Sequence, residues 1–554
     1  MSHLSDYQPS PHVTQTWHVE KPAARGRRGV CASQSRAAAE VGAKVLEAGG
    51  NAADAAVAAA FALSAVEPWS SGIGGIGFAV VHRTGEAEAQ VVDFGPVAPG
   101  GVDPSAFPLT GRMKRDLFTW PEVEGDRNIH GPLSFVTPSA VAGYDLLRER
   151  FGSGMPVSDL LGPAIALARR GLPQDWLATL KIAAQASMLR LYPESARIYL
   201  PDGLPPVPPY QGGLQFFRLG HLAETFERLA RSGLRDFYEG GVAADLIADI
   251  RALGGLITAD DLAQCRASLY PATRLDWRGR YTLHTAGGLT ASPTLARVVE
   301  AMRDAPLGAA PDAPWFRALA QALRGAYAAR LAGLGASAPP GTDPTATGAP
   351  GSPQGTRTLE PPGTCTTHLT VADGEGTMIA LTSTLLSSMG SRVVLPRTGV
   401  LMNNGVMWFD PTPGSPNAIR PGARPLSNMC PVTVSANDTA GPLLAAGSSG
   451  GRRILASVYQ VLAFALDFGM TLEDVAHAPR LDVMGPDLVS ADRRLPPDVL
   501  EGLAADGTLD VVEHVTAPER FAAPNVIRRE ESTLAGITDV MSPWSAAVAA
   551  DESR

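Results

Sequence analysis

Cysteine is scarce in this chain, and its spacing builds no framework. The four residues, Cys31, Cys265, Cys365 and Cys430, include no CxxC pair. That argues against a disulfide scaffold or a zinc ribbon and fits a reducing compartment. The ten histidines are scattered without HExxH or HxH spacing, so no metal is signalled and no cofactor is expected. Positive charge is also in deficit. The formal net charge is −9, and the one compact basic cluster, Arg25-Gly26-Arg27-Arg28, suits a solvated face. A nucleic-acid partner is therefore not expected. Long apolar runs are missing as well. The N-terminal stretch has no hydrophobic segment followed by a cleavage site, so no export signal is expected and the cytoplasm is the expected compartment. The most apolar helical stretch, Ala52 to Val66, falls short of the roughly 20 residues that cross a membrane, so no membrane partner is expected.

What is present is an ordinary globular composition, 45% hydrophobic and 18% charged, over a length with ample core. The most informative stretch is a predicted hairpin. Thr364 to Asp373 and Thr377 to Thr384 both alternate in side-chain character and carry β-branched residues, and Gly374-Glu375-Gly376 between them is turn chemistry. A loop of two or three residues places Ser383 or Thr384 across from Thr366, so hydroxyls line up beside the peptide bond joining Cys365 to Thr366. Just before the hairpin, residues 335–355 are rich in Pro, Gly and Thr and cannot build a core. A polar lead-in that delivers a threonine to the first position of a strand suggests self-cleavage. Cutting before Thr366 would free an α-amine with an unperturbed pKa of roughly 7.7–8.0. That amine could then act as base toward its own hydroxyl. The plainer reading is the first strand of a second domain.

Along the chain, Arg36 to Ala48 reads as a helix stopped by Gly49-Gly50. Asn51 reads as the N-cap of a second, Ala-rich helix with Asp54 in its first turn, suited to burial between layers. Gly72-Ile-Gly-Gly-Ile-Gly77 precedes the strand Phe78 to His82. A dinucleotide fingerprint would follow a strand and open a helix, so close backbone packing in a tight turn is the better account. The middle of the chain reads as mostly helical, with a strand pair over Leu275 to Thr285 and no catalytic constellation. Further on, Gly399 to Asn404 reads as a short strand entering a loop. Leu443 to Ala446 reads as a strand, Gly447-Ser448-Ser449-Gly450-Gly451 as a glycine turn, and Ile454 to Phe468 as an apolar helix.

That glycine turn matches the G-x-S-x-G elbow, in which Ser449 would be the nucleophile with His477 or His514 as base. It could equally be a plain turn. A third reading gives its backbone N–H groups the part of an oxyanion hole for a nucleophile elsewhere.

Five segments together resemble the γ-glutamyltransferases: Glu47-Ala-Gly-Gly-Asn-Ala-Ala-Asp-Ala-Ala56, Gly72 to Phe78, Thr366-Thr-His368, Arg424-Pro-Leu-Ser427 and Gly447 to Gly451. They occur in the family's order along nearly the whole chain. The resemblance implies an α/β protein of the N-terminal-nucleophile hydrolase type, a four-layer αββα sandwich. It also implies a precursor that cuts itself into a large subunit, residues 1–365 ending in a linker over 332–365, and a small catalytic subunit, residues 366–554. By position, Thr366 would be the nucleophile, Thr384 its hydrogen-bonding partner, and Gly450 and Gly451 the oxyanion hole. Thr366 would attack first the carbonyl of Cys365 and later a substrate amide, and the acyl group would pass to water or an amine. The implied partners are a small-molecule amide such as a glutathione-like γ-glutamyl compound, and the other subunit in a heterodimer.

The substrate-binding positions depart from the family. The arginine expected two residues after Asp93 is Gly95, and the asparagine two residues beyond Thr384 is Leu386. After Asn403-Asn404 the expected glutamine and aspartate are Gly405 and Trp408. Of a serine pair only Ser427 remains, followed by Asn428. Losing a carboxylate's Arg partner and an ammonium's Asp partner costs several kcal/mol in buried sites. Arg452, beside the glycine turn, could supply a carboxylate contact. The family also holds acylases of β-lactam side chains and small-amide hydrolases, and Trp408 and Leu386 would suit a less polar acyl group. Outside the family chemistry stand a Ser449 hydrolase and an inactive binding relative.

Overall fold

The computed structural model describes residues 17, 19–114, 120–333, 365–485, 488–517 and 519–550. The linker read over 332–365 therefore lies almost wholly outside the described residues.

Two seven-stranded sheets form the centre. One has the order Ala546–Ala549, Gly29–Ser33, Thr367–Asp373, Met378–Thr384, Ile76–His82, Gln90–Phe94, Ser268–Pro271. The other has the order Ala24–Gly26, Thr533–Thr538, Ala523–Glu530, Leu444–Ser449, Val432–Ala436, Tyr281–Thr285, Thr273–Trp277. Every pairing within these two sheets is antiparallel. They face each other across small and medium side chains, Val30, Ala32, Ala372, Met378, Ala380, Ala445, Ile527 and Leu534. Helices cover both outer faces. Ala52–Val66 is buried along nearly its whole length under the first sheet, and Ile454–Leu466 is buried throughout under the second. This is the expected αββα sandwich, and strands from both sides of the Cys365–Thr366 bond interleave in both sheets.

Local signals account for much of this. Asn51 accepts from Ala53 N and Asp54 N while Asp54 returns a bond to Asn51 N, a complete capping box. The Gly72 to Gly77 run is a close-packing device: a Cβ on Gly74 would sit 2.2 Å from Leu401 O, and one on Gly77 2.3 Å from Thr382 O. The predicted strand over Gly399 to Asn404 is absent. Leu401 makes one isolated bridge to Val394, and Asn403 instead spends its side chain on Val136 and Gly74. The strand predicted to stop at Ala446 runs on through Ser449. Its partner Ala523–Glu530 keeps it in register to the end, a contact too distant in sequence to foresee.

Candidate active site

The hairpin register decides the site. Thr367 faces Ser383, so Thr366 lies opposite Thr384. Thr384 in turn pairs with Ile76. Gly77 pairs with Phe94, which brings Ile76 against Gly95. Cross-strand neighbours point to the same face, so Thr366, Thr384, Ile76 and Gly95 form one row across four strands.

At the head of the row two hydroxyls converge on the carbonyl between Cys365 and Thr366. Thr366 Oγ1 donates to Cys365 O at 2.6 Å, and Thr384 Oγ1 donates to the same oxygen at 2.7 Å. The two hydroxyl oxygens are 3.2 Å apart. Leu386 N donates to Thr384 Oγ1 at 2.9 Å, which turns the Thr384 proton toward the carbonyl. Leu386 achieves this at φ +88°, a backbone conformation an apolar residue seldom takes. Gly450 and Gly451 follow the end of the Leu444–Ser449 strand at φ +139° and +62°. Gly450 lines the same cavity as Thr366, Gln34, Glu67, Lys181 and Ser449. A Cβ on Gly450 would meet Ala522 Cβ at 2.7 Å, so the turn requires glycine there.

Among the described residues no histidine is hydrogen-bonded to the Thr366 hydroxyl. His368 is buried, shares its ring nitrogens with Thr382 Oγ1 at 2.9 Å and Thr370 Oγ1 at 3.0 Å, and is pushed down to about 3 by burial. It stacks on Gly447, where a Cβ would come within 2.2 Å of its ring. The first glycine of the supposed elbow is therefore needed for inter-sheet packing. Ser449 is the last residue of a strand and its hydroxyl accepts from Gln34 Nε2. His477 is occupied by Glu473 O and Lys21 N. His514 shares the cavity but pairs with Asp539 at 3.4 Å, and Asp539 is held well below the usual carboxylate range, against its burial, by His514 and Arg480. Among the described residues no imidazole reaches the Ser449 hydroxyl.

The remaining candidates do not line that cavity. Gly95 is roofed by an arginine from another loop: a Cβ there would lie 2.3 Å from Arg424 Nη2. Arg424 donates to Asp93 at 2.9 and 2.6 Å, lies over the Phe78 ring at 5.9 Å, and keeps 37% of its side chain exposed. Trp408 and Leu386 belong to one apolar cluster with Phe78, Ile76 and Met429. Asn428 Oδ1 and Ser427 O accept from Arg330 at 3.4 and 2.7 Å, and Ser427 Oγ accepts from Met429 N at 3.2 Å. Arg452 is buried, its carbonyl accepts from Tyr327 and its guanidinium lies 5.9 Å from the Trp120 ring.

Two site residues escaped sequence reasoning. Arg424 stands in the Arg-Pro-Leu-Ser segment, where an arginine before proline beside apolar residues was a usable signal. Glu67 accepts from Thr367 Oγ1 at 2.6 Å and Ser70 Oγ at 2.9 Å. Its only sequence signal is an acid between an apolar helix and Pro68. Among the described residues no group of three His, Cys, Asp or Glu could hold a metal, and no helix is long and apolar enough to cross a membrane.

A profile described as gamma-glutamyltranspeptidase matches residues 38–549. The glutathione hydrolase proenzyme of Escherichia coli is 30% identical over 529 residues, 87% of this chain and 86% of that protein. The Acylase ACY 1 proenzyme of Pseudomonas sp. strain V22 is 29% identical over 90% of each chain. Among solved structures, the cephalosporin acylase of Bacillus halodurans shares the fold with a TM-score of 0.81 at 23% identity, covering 98% of this chain and 99% of that one.

Proposed function

The chain is an enzyme of the gamma-glutamyltranspeptidase family, and on that premise we propose that it is a self-cleaving amide hydrolase or acyltransferase whose nucleophile is Thr366. The observation that carries this reading is the pair of hydroxyls on Cys365 O, one from Thr366 at 2.6 Å and one from Thr384 at 2.7 Å. Thr366 Oγ attacks the Cys365 carbonyl carbon, Thr384 supports the developing oxyanion, and the Oγ proton ends on the Thr366 nitrogen as the C–N bond breaks. Water then hydrolyses the ester, leaving a Cys365 carboxylate and a free Thr366 amine. In the matured enzyme that amine serves as base, and Thr366 Oγ takes the acyl group of a small amide and passes it to water or an amine. Gly450, which lines the cavity with Thr366, and Gly451 after it would receive the substrate oxyanion. The two products of the cut, residues 1–365 and 366–554, would remain one heterodimer, and its proposed compartment is the cytoplasm.

The acyl group need not be γ-glutamyl. Two of the positions where the family's ammonium and amide contacts stand, Trp408 and Leu386, belong to one apolar cluster, and two proenzymes similar to this chain carry different names, glutathione hydrolase and acylase. A cation meets the row at its far end, Arg424, against Gly95. We therefore favour an acyl chain that is mainly apolar over one with a free α-amine.

Intact mass and N-terminal sequencing of purified protein test the core of this reading, beside a Thr366→Ala variant. The expected result is two fragments, the shorter beginning Thr-Thr-His-Leu, and a single uncut chain in the variant. One uncut chain in both would overturn it. Initial rates on γ-glutamyl, glutaryl and simple acyl anilides then test the acyl group, and a preference for γ-glutamyl would refute the altered pocket.

A further inference from the structure

The turn that follows the Ala52–Val66 helix grips the scissile bond from both sides. Glu67 Oε2 accepts from Thr367 Oγ1 at 2.6 Å, just after the bond. Trp69 O accepts from Cys365 Sγ, just before it. Ser70 O accepts from Leu385 N at 3.0 Å, next to Thr384. Three residues of one turn thus contact both flanks of that peptide and the residue after its hydroxyl partner. Strand alternation explains how this leaves room for chemistry. Thr366 turns its hydroxyl toward Thr384 and Cys365 O, while Thr367 turns to the opposite face, where the carboxylate waits.

We propose that Glu67 is the positioning residue for cleavage of the Cys365–Thr366 bond, acting through Thr367, and that cleavage slows when Glu67 takes up a proton. This rests on the self-cleavage reading above. The ionised carboxylate accepts two hydroxyls at once, from Thr367 and from Ser70 at 2.9 Å. Once protonated, one of its oxygens becomes a donor and one of those hydroxyls must turn away. The strand start is then held less firmly, and the Thr366 hydroxyl spends less time aimed at the carbonyl. Glu67 is 8% exposed, and burial pushes its carboxyl up to about 7 against the two hydroxyl bonds and Lys181. The charged groups facing it are Lys181 and Glu519, which pair with each other at 2.7 Å. The Cys365 thiol is pushed up to about 12 by burial and stays neutral. His514 and Asp539 line the same cavity and are paired with each other. Glu67 is therefore the carboxyl of this cavity that changes charge near neutrality without already carrying a cationic partner at hydrogen-bond distance.

The cleavage itself is balanced within the chain. The Oγ–C bond forms, the C–N bond breaks, the Oγ proton passes to nitrogen, and water completes the hydrolysis. Glu67 supplies geometry and no proton.

Full-length precursor made by cell-free translation and shifted to buffers from about pH 5.5 to about pH 9 provides the test, with uncut chain followed by intact mass. The wild type is expected to cleave about 10-fold more slowly on the acid limb, with a midpoint near neutrality. Glu67→Gln and Thr367→Val are expected to cleave at least about 10-fold more slowly on the alkaline limb and to lose that midpoint. Ser70→Ala removes one stabilising hydroxyl from the ionised form and is expected to move the midpoint to higher pH. That shift is beyond a merely structural role, and it decides the question even where Glu67→Gln fails to fold. Wild-type rates in Glu67→Gln or Thr367→Val, or an unmoved midpoint in Ser70→Ala, would overturn the proposal. A wild type that never cleaves defeats the self-cleavage reading itself.

Discussion

The two ends of the row Thr366–Thr384–Ile76–Gly95 are built by different means. At the nucleophile end, the geometry follows from sheet register: the 367–383 pairing puts Thr366 opposite Thr384, and the hydroxyls and one backbone N–H do the rest. At the Gly95 end, the geometry is assembled from loops. Arg424 comes from a loop far along the chain, Asp93 from a strand end, and Trp408 from a short turn. The lesson is that the hydroxyl pair is fixed by the sandwich, whereas the proposed acyl preference could change by exchanging loop residues without disturbing a strand.

Breaking the register end should have the larger effects. Thr384→Val keeps the shape but removes the second donor to the carbonyl, and both self-cleavage and turnover should fall by about 10²–10³-fold. A loss confined to KM would refute the role given to that hydroxyl. Gly447→Ala attacks the packing beneath the nucleophile strand, because its new methyl would meet the His368 ring at 2.2 Å. A buried ring with both nitrogens engaged cannot step aside freely, so a loss of about 1–3 kcal/mol is expected in denaturant unfolding. An unchanged midpoint would mean that the two sheets have slack.

The loop end should respond less and more selectively. Arg424→Gln removes the cation over Gly95, and an amide with a carboxylate at the end of its acyl chain should lose about 10-fold in kcat/KM while an uncharged chain of equal length is little affected. Equal losses on both substrates would show that Arg424 serves only to hold Asp93.

How much of this could be read in the sequence follows the same division. Thr366 against Ser383 or Thr384 was legible because strand periodicity is two and the turn residues of 374–376 bound the register, and the observed pairing of Thr367 with Ser383 selects Thr384. The buried Ala-rich helix and its Asn51 cap were legible from local chemistry. The contacts of Glu67 with Thr367 and of Arg424 with Asp93 span 300 and 331 positions, and no local pattern encodes them. The Gly447–Gly451 segment was open to three readings, and local pattern alone did not choose among them. Its glycines satisfy a motif, yet one makes room for His368 and another for Ala522, and Ser449 is locked to Gln34.

The interleaving of strands across the 365–366 junction would matter to the enzyme after the proposed cut. The Gly29–Ser33 strand lies between Thr367–Asp373 and Ala546–Ala549, so a strand from before the cut is enclosed by two from after it. In the precursor these strands meet as parts of one molecule, at an effective concentration fixed by the chain between them. Once the bond is cut, recovery from unfolding becomes an encounter between two molecules and depends on their dilution. The proposed cut would thus make folding a one-way history: the enzyme would carry a native state that its own two pieces reach only by a slower, second-order route.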